Sequence, residues 1–562
     1  MPAYTDQSLY DALTELAVID KTQLDAAFET SKKQRVSLSS LLADKDLLSD
    51  ENLGRTIAEI TGFPLVRLRD ISVAHDILSI IPEVVAKTQK MLVFKKDKRG
   101  LHVAMADPTN LQMRNFLAKK TGLPIIAYIA TTRDINDAMR LFAKDITTTF
   151  SELIEQNAKK VNVSAAKETD LPIIKIVDTI MSYAYQNRAS DIHIEPLRKE
   201  TLIRFRIDGI LHDILTLPLS FHQPIATRIK VLADLRTDEH QAAQDGKLQF
   251  QAEDEDVDVR VSFVPTITGE KIVMRLLSER SRQFSLADLG FGQNDLSQVK
   301  KAYEKPYGML LATGPTGSGK TTTIYAILKL INKRDVNIMT IEDPVEYEIT
   351  GVNHIQVNPK TNLTFAEGLR SIVRQDPNII LVGEIRDSQT ADIAINSAMT
   401  GHLVLSTLHT NDATTALPRL LDMGIEPFLV ASTVNVIIAQ RLVRKIHTSC
   451  RVSEVVNTSD LTKQLEPKTV VKIFGESKST RLYRGKGCTL DHQTGYDGRV
   501  GIFEVLVVND EVRKGILERK DASSILAIAV KRGMTTMLED GLEKVKQGIT
   551  TIDEIVRVTK EQ

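Results

Sequence analysis

The residues best placed to do chemistry form one short run, Gly314-Pro-Thr-Gly-Ser-Gly-Lys-Thr321. It fits the pattern G-x-x-x-x-G-K-[ST]. An apolar run from Gly308 to Thr313, reading as a buried strand, precedes it, and Thr322 to Ile331 follows with apolar residues at helical spacing. Strand, loop and helix in that order grip a polyphosphate. Gly314, Gly317 and Gly319 let the backbone curl so that its N–H groups converge, and the new helix adds the positive end of its dipole. Ser318 and Thr322 belong to the same phosphate-binding stretch. Lys320 is expected to meet the β- and γ-phosphates, and the Thr321 hydroxyl to ligate Mg²⁺.

Two acidic strand ends supply the rest of such a site. Asn337 to Glu346 reads as a short apolar strand delivering Glu342, Asp343 and Glu346, and Asn378 to Glu384 as a second one ending in a carboxylate and followed by Ile385-Arg-Asp387. A triphosphate site needs one carboxylate near Mg²⁺ or its water shell and another to orient the attacking water. Parallel α/β sheets bring such ends to the edge that carries the loop. His402 and His409 bracket a further apolar strand, Leu403 to Leu408. Their spacing is not that of a metal site. A histidine at a strand end is ordinarily a satisfied structural group; a polar sensor of the γ-phosphate is the sharper alternative.

The elements that must position these groups come from a chain of 562 residues, enough for about three or four domains. The formal net charge of -1 argues against a large nucleic-acid footprint. No stretch approaches the roughly 20 apolar residues of a membrane span, and Met1-Pro-Ala-Tyr-Thr-Asp6 lacks the basic and apolar regions of a secretion signal, so a cytoplasmic protein is expected. Cys450 and Cys488 are too few for a disulfide framework and suit a reducing compartment.

In chain order, residues 1–62 carry helical periodicity (Leu9, Leu13 and Leu16; Leu24 and Phe28; Leu38, Leu41 and Leu42) and form a helical module. Residues 63–143 alternate strand-like pieces such as Met91 to Phe94 and Leu101 to Met105 with helical ones, as in a small α/β domain. Residues 144–169 are poor in apolar groups and read as a linker, with a short helix possible from Phe150 to Ile154. Residues 170–282 form a third, α/β domain, with a helix from Ile173 to Tyr185 and alternating strands at Ser190 to Glu195 and Leu202 to Gly209. On the second of these strands Arg204 and Arg206 share a face; taken alone they read as solvated charges on a sheet edge. Residues 283–562 hold the phosphate loop.

Taken together, these blocks resemble the secretion-superfamily hexameric ATPases, the motors of type II secretion and type IV pilus assembly. The loop corresponds to Walker A, Thr340 to Tyr347 to the Asp box, Ile380 to Asp387 to Walker B, and Thr400 to Asn411 to the His box. The likeness extends to Ala439-Gln-Arg-Leu-Val-Arg444, Thr494 to Arg499 and Gly533 to Gly541. It implies a RecA-like P-loop ATPase domain preceded by a smaller, PAS-like α/β domain, in a homo-hexamer that binds ATP between the two. On this resemblance Glu346 polarises the attacking water, Glu384 acts near Mg²⁺ through water, Glu342 and Asp343 support the site, and the His-box residues His402 and His409 join it. Arg204 and Arg206, with Arg228 a weaker candidate, reach the nucleotide, often from a neighbouring subunit. Retraction motors of the superfamily are shorter at the N-terminus and lack an insert like 447–493. The chain therefore looks like an assembly ATPase for a type IV pilus, with type II secretion the near alternative and a nucleic-acid translocating motor the rival class. The implied partners are an inner-membrane platform protein and a cytoplasmic accessory protein, with the motor peripheral to the membrane.

Two places depart from the family pattern. Where many assembly ATPases carry two Cys-x-x-Cys pairs for zinc, this chain has His447-Thr-Ser-Cys450 and Cys488-Thr-Leu-Asp491 with His492 adjacent. Imidazole and carboxylate both ligate Zn²⁺, so a mixed site and a metal-free loop are both open. The N-terminal helical module resembles a domain that binds cyclic di-GMP in some relatives, but Ser8 to Leu13 and Ser37 to Leu42 lack the arginines and glycines of that motif. No cyclic di-GMP binding is expected.

Overall fold

The computed structural model describes residues 4–139, 170–252, 256–277, 286 and 288–559, apart from 17–18, 20, 35–36, 45–47, 49, 69–70, 72, 74, 489–490 and 492. The linker 144–169, its short helix at Phe150 to Ile154, and His492 lie outside the described residues. The chain divides into two units, Met1–Gln283 and Phe284–Gln562.

The first unit begins with helices Asp6–Leu16, Lys21–Gln34, Leu38–Asp44 and Asp50–Thr61. Leu9, Leu13, Leu24, Leu38 and Leu42 point inward, as their helical spacing requires, whereas Leu16 in the last turn of its helix is exposed. This core does not close on itself: it takes in Ile129 of the next module, with Phe63 and Leu65 packed against it. Two hydrogen bonds, Val66 N–H to Ile129 O at 2.9 Å and Ile129 N–H to Pro64 O at 3.0 Å, tie the connection down. The helical and small α/β modules thus share a core. The small domain is a three-stranded sheet in the order Met91–Asp97, Gly100–Met105, Ile125–Ile129, antiparallel then parallel.

The third module packs helices Asp170–Gln186 and His222–Leu232 with a six-stranded antiparallel sheet. The strand order is Ile210–Pro218, Glu200–Ile207, Asp191–Pro196, Gly269–Leu277, Asp256–Thr266, Gln244–Gln251. Period-two alternation sends Ile192, Ile194, Ile203 and Phe205 into the core. The other face receives Asp191, His193, Glu195, Arg204 and Arg206.

The second unit is built on a seven-stranded sheet ordered Val352–Gln356, Ile338–Glu342, Ile379–Val382, Leu403–Leu408, Gly308–Thr313, Val434–Ile446, Tyr496–Val507. Neighbouring strands are parallel except the last pair, which is antiparallel. Both faces are covered. Met309, Leu311, Val404 and Ile437 enter one core and Leu310, Ala312, Leu405 and Ile438 the other, which is why these strands are continuous apolar runs rather than alternating ones. Between the last two strands the chain makes an excursion, residues 447–493, with its own antiparallel pair, Arg451–Asn457 and Ser479–Gly485. The stretch around Glu466 to Phe474 is a helix, Pro467–Phe474, packed against helix Met537–Lys546.

Candidate functional site

The loop strand Gly308–Thr313 ends at Gly314, and helix Lys320–Ile331 starts at Lys320. Gly314, Gly317 and Gly319 all have positive φ (142°, 79° and 91°), a conformation that side chains resist. Space adds to the demand at both ends: a Cβ on Gly314 would lie 2.6 Å from the Gln440 carbonyl oxygen, and one on Gly319 would lie 2.9 Å from Gln440 Nε2. Lys320 is buried and bends back over the loop, its Nζ donating to Gly314 O at 2.8 Å and Pro315 O at 3.1 Å. Burial holds its ammonium down to about 8, with Glu384 pulling upward and Arg441 pushing the same way as burial. Thr321 is exposed at the helix start, Thr322 half-buried, and the Ser318 hydroxyl buried without a hydrogen-bond partner.

Strand Ile379–Val382 delivers Glu384 to this edge. Its Oε2 accepts from Arg386 Nε at 2.6 Å and contacts His409 Nε2 at 3.2 Å. Arg386 also feels the exposed Asp343, so both acidic strand ends converge on it. Glu342 is different. It is buried, and its two oxygens are engaged by the Tyr325 hydroxyl and by His354 Nδ1 at 2.9 Å. His354 Nε2 accepts from Ile349 N–H, which leaves the proton on Nδ1 and makes that nitrogen a donor to Glu342. The Glu346 main chain bonds to the same Tyr325 hydroxyl. Both Glu342 oxygens are thus bonded within the protein, to His354 and to a tyrosine that also holds the main chain of Glu346.

The two histidines are not brought together. Leu403 pairs with Gly308 and Leu408 with Thr313, so His402 precedes the strand's entry and His409 follows its exit beside the loop. A six-residue strand lies between them, and the seven steps from one to the other span about 23 Å at roughly 3.3 Å per residue. His402 Nδ1 bonds Ser397 O at 2.9 Å, the satisfied structural role. Of the two expected site histidines, only His409 flanks the end of the strand that lies beside the loop.

The arginines lie in the first unit, where each faces a carboxylate on the adjoining strand. Arg204 Nη2 donates to both oxygens of Glu195, at 2.7 and 2.8 Å, and Arg206 Nε lies 3.4 Å from Asp191. Each carboxylate has a second cation: Lys271 sits 2.8 Å from Glu195 and Arg275 donates to Asp191 at 2.9 Å. Burial alone would raise the Glu195 pKa, but Arg204 and Lys271 outweigh it and keep it low. Arg228, on helix His222–Leu232, has a buried Nε with no hydrogen-bond partner.

A second cluster forms where the last two strands leave the sheet. Ile446 pairs with Tyr496, and His447 N–H bonds Gly495 O at 2.9 Å, so the two ends of the excursion meet. His447, Cys450, Cys488 and Asp491 each offer one ligand atom, all within 4.8 Å of one another. Asp491 Oδ2 lies 2.9 Å from His447 Nδ1, 3.0 Å from Cys450 Sγ and 3.3 Å from Cys488 Sγ. Its Oδ1 is taken by Cys488 N–H at 2.8 Å, leaving one oxygen free to ligate. These separations approach the edges of a tetrahedron about Zn²⁺, roughly 3.3–3.8 Å for bonds of 2.0–2.3 Å. Two thiols, an imidazole and a carboxylate thus fit zinc in chemistry and spacing. Burial, then Asp491, pushes the Cys450 thiol up to about 11; Asp491 resists its own burial through the bonds from Cys488, Cys450 and His447 and stays at about 2.

Three residues beside the loop carried no assignment in the sequence: Arg386, Arg441 and Gln440. Arg441 is buried next to Gln440, with its Nη2 3.5 Å from Asn411 Oδ1. The available signal was a polar pair, Gln440-Arg441, set between the apolar runs Val436 to Ala439 and Leu442-Val443.

A phosphate loop at the carboxyl edge of a parallel sheet, with a lysine and an acidic strand end facing each other across it, defines a P-loop ATPase. Residues 166–557 match the family of Type II/IV secretion system proteins, and residues 61–148 match the MshEN domain. The chain belongs to the Type II/IV secretion system protein family. It is 39% identical over 571 residues to Type II secretion system protein E of Xanthomonas campestris pv. campestris, covering 98% of each chain. It is 37% identical over 560 residues to the type IV pilus assembly ATPase PilB of Myxococcus xanthus, again with 98% of each covered. The solved structure of the Legionella pneumophila ATPase DotB matches 71% of this chain and 97% of its own, with a TM-score of 0.51 and 21% identity, a likeness of fold. The MshEN match falls on the small α/β domain and its flanks. No helix among the described residues is long and apolar enough to cross a membrane.

Proposed function

We propose that this chain is a cytoplasmic motor that couples ATP hydrolysis to the assembly of a type IV pilus. It works as a homo-hexamer at the inner face of the cytoplasmic membrane, docked to an inner-membrane platform protein and a cytoplasmic accessory protein. The observation that carries the reading is the facing pair Lys320 and Glu384 at the loop. End-to-end similarity to a pilus assembly ATPase supports the pilus assignment. Equal coverage by a type II secretion relative keeps that second machine as the alternative reading.

The loop N–H groups and Lys320 hold the β- and γ-phosphates, while Thr321 and, through water, Glu384 hold Mg²⁺, which supplies charge neutralisation when bound. Glu346 orients the attacking water, and His409, in contact with Glu384, senses the γ-phosphate. Arg204 and Arg206 neutralise charge developing in the transition state, with Arg228 a weaker candidate for the same role. The paired cations make this exchange inexpensive. When Arg204 leaves Glu195, Lys271 stays, and when Arg206 leaves Asp191, Arg275 stays, so no partly buried carboxylate is stranded. His447, Cys450, Cys488 and Asp491 would hold Zn²⁺, which would tie together the two ends of the excursion; His492 adjoins these residues in sequence.

The test is a chromosomal Glu346→Gln variant, scored for surface pili and for type II export in the same cells. Pili should vanish and export should persist. Persisting pili would refute the reading, and lost export with intact pili would establish the alternative.

A further inference from the structure

Gln440 is buried, 2% exposed, in the strand Val434–Ile446 that flanks the loop strand. Its amide is used at both ends. Nε2 donates to Ser318 O at 2.7 Å, and Oε1 accepts from the Thr323 hydroxyl at 2.7 Å. A carbonyl can only accept, so the nitrogen must face Ser318, and the orientation of the amide is fixed by its partners.

We infer that Gln440 is a positioning residue for phosphate binding: it clasps the Ser318 carbonyl and so aims the Gly319 N–H at the phosphates. The inference rests on nucleotide binding at this loop. In a planar trans peptide the C=O of one residue and the N–H of the next point in opposite directions. Holding Ser318 O against the strand therefore turns Gly319 N–H the other way, toward the side where the loop amides converge. The second arm fixes Thr323, one helical turn beyond Gly319, so loop and helix start are held by one side chain. The same contact explains the last loop glycine, since a Cβ at position 319 would lie 2.9 Å from Gln440 Nε2. Glutamine has this reach with a donor and an acceptor; ionised glutamate has no donor and methionine has only a weakly accepting sulfur.

The experiment measures ADP affinity and ATP KM and kcat for the full-length chain and for Gln440→Met, Gln440→Glu and Lys320→Ala. Misaiming one hydrogen bond to a charged group weakens binding by about tenfold. Gln440→Met should therefore raise ADP Kd and ATP KM about tenfold with kcat within about threefold, since the contact is made in ground and transition states alike. Gln440→Glu should weaken binding further, because it keeps the Thr323 arm but sets a carboxylate oxygen against Ser318 O. A purely structural role would lower the amount of active protein and leave KM alone. Folded Gln440→Met or Gln440→Glu with ADP Kd within twofold of the parent overturns the inference. If neither variant folds, residue-resolved hydrogen exchange of the unaltered chain decides: ADP must slow the Gly319 amide, and an unchanged Gly319 overturns the clasp. Lys320→Ala separates the two levels, since unaltered ADP binding in that variant would refute the nucleotide site itself.

Discussion

Lys320 offers the sharpest quantitative test, because its environment sets a pH at which nucleotide binding must begin to fail. Burial holds the ammonium at about 8 in the protein alone, against an ordinary value of 10.5. An anionic phosphate favours the charged form, so binding raises this pKa and takes up protons. The sign follows. Below pH 8 the lysine is already charged and affinity is flat; above it, each unit of pH costs about a factor of ten until the bound-state pKa is reached. At pH 9 the charged fraction is about one in eleven, so ADP affinity should drop about tenfold from its plateau, with about 0.9 proton taken up per site. Calorimetry from pH 7.5 to 9.5, in two buffers of different ionisation enthalpy, reads both quantities. Starting at 7.5 keeps clear of the phosphate's own ionisation near about 6. Lys320→Arg keeps its charge throughout and should give a flat, weaker profile. Flat affinity in the parent up to pH 9.5, or no proton uptake at pH 9, would refute the buried-ammonium reasoning.

Two further perturbations follow from the site geometry. His409→Ala should lower kcat by about tenfold or more through its contact with Glu384, while His402→Ala, at the far end of the strand, should leave turnover within about threefold; equal losses in a steady-state ATPase assay would contradict the assignment. The purified chain should carry close to one zinc ion per subunit by elemental analysis, and both cysteine thiols should react with a thiol reagent only after chelation, whereas Asp491→Ala should lose the metal and expose them at once. Immediate reaction of both thiols in the parent protein as purified, before any chelator is added, would exclude the site.

Much of the site was legible because backbone demands leave marks in sequence. Loop glycines with positive φ and acidic residues closing apolar runs can be read without a fold. The histidines show where spacing alone misleads. His402 and His409 look alike on paper as polar ends of one strand, but a parallel strand has an entry and an exit, and only the exit lies at the loop. Glu342 shows another limit: that its oxygens are consumed by Tyr325 and His354 depends on residues 17 and 12 positions away, brought in by a helix and by a neighbouring strand. The cysteine-histidine cluster depended on register. Its two halves are 41 residues apart from Cys450 to Asp491, yet the antiparallel pairing of Ile446 with Tyr496 makes them neighbours whatever the excursion between them contains. In the first unit, the helical module reads as self-contained because its periodicity is complete, but its core finishes with Ile129 from a strand the pattern cannot anticipate.

The strand Val434–Ile446 carries Gln440 against the phosphate loop and runs directly into His447 of the metal cluster. The seven residues from Gln440 to His447 make a strut of about 23 Å, paired with its antiparallel neighbour from Gln440 to Arg444 and again at Ile446, with an irregularity between. In mechanical terms it is a beam with a phosphate contact at one station and the root of the excursion at the other. The irregularity between Arg444 and Ile446 is the one break in the pairing between those two stations. The excursion can then differ in length and composition, since its two ends meet at the paired Ile446 and Tyr496.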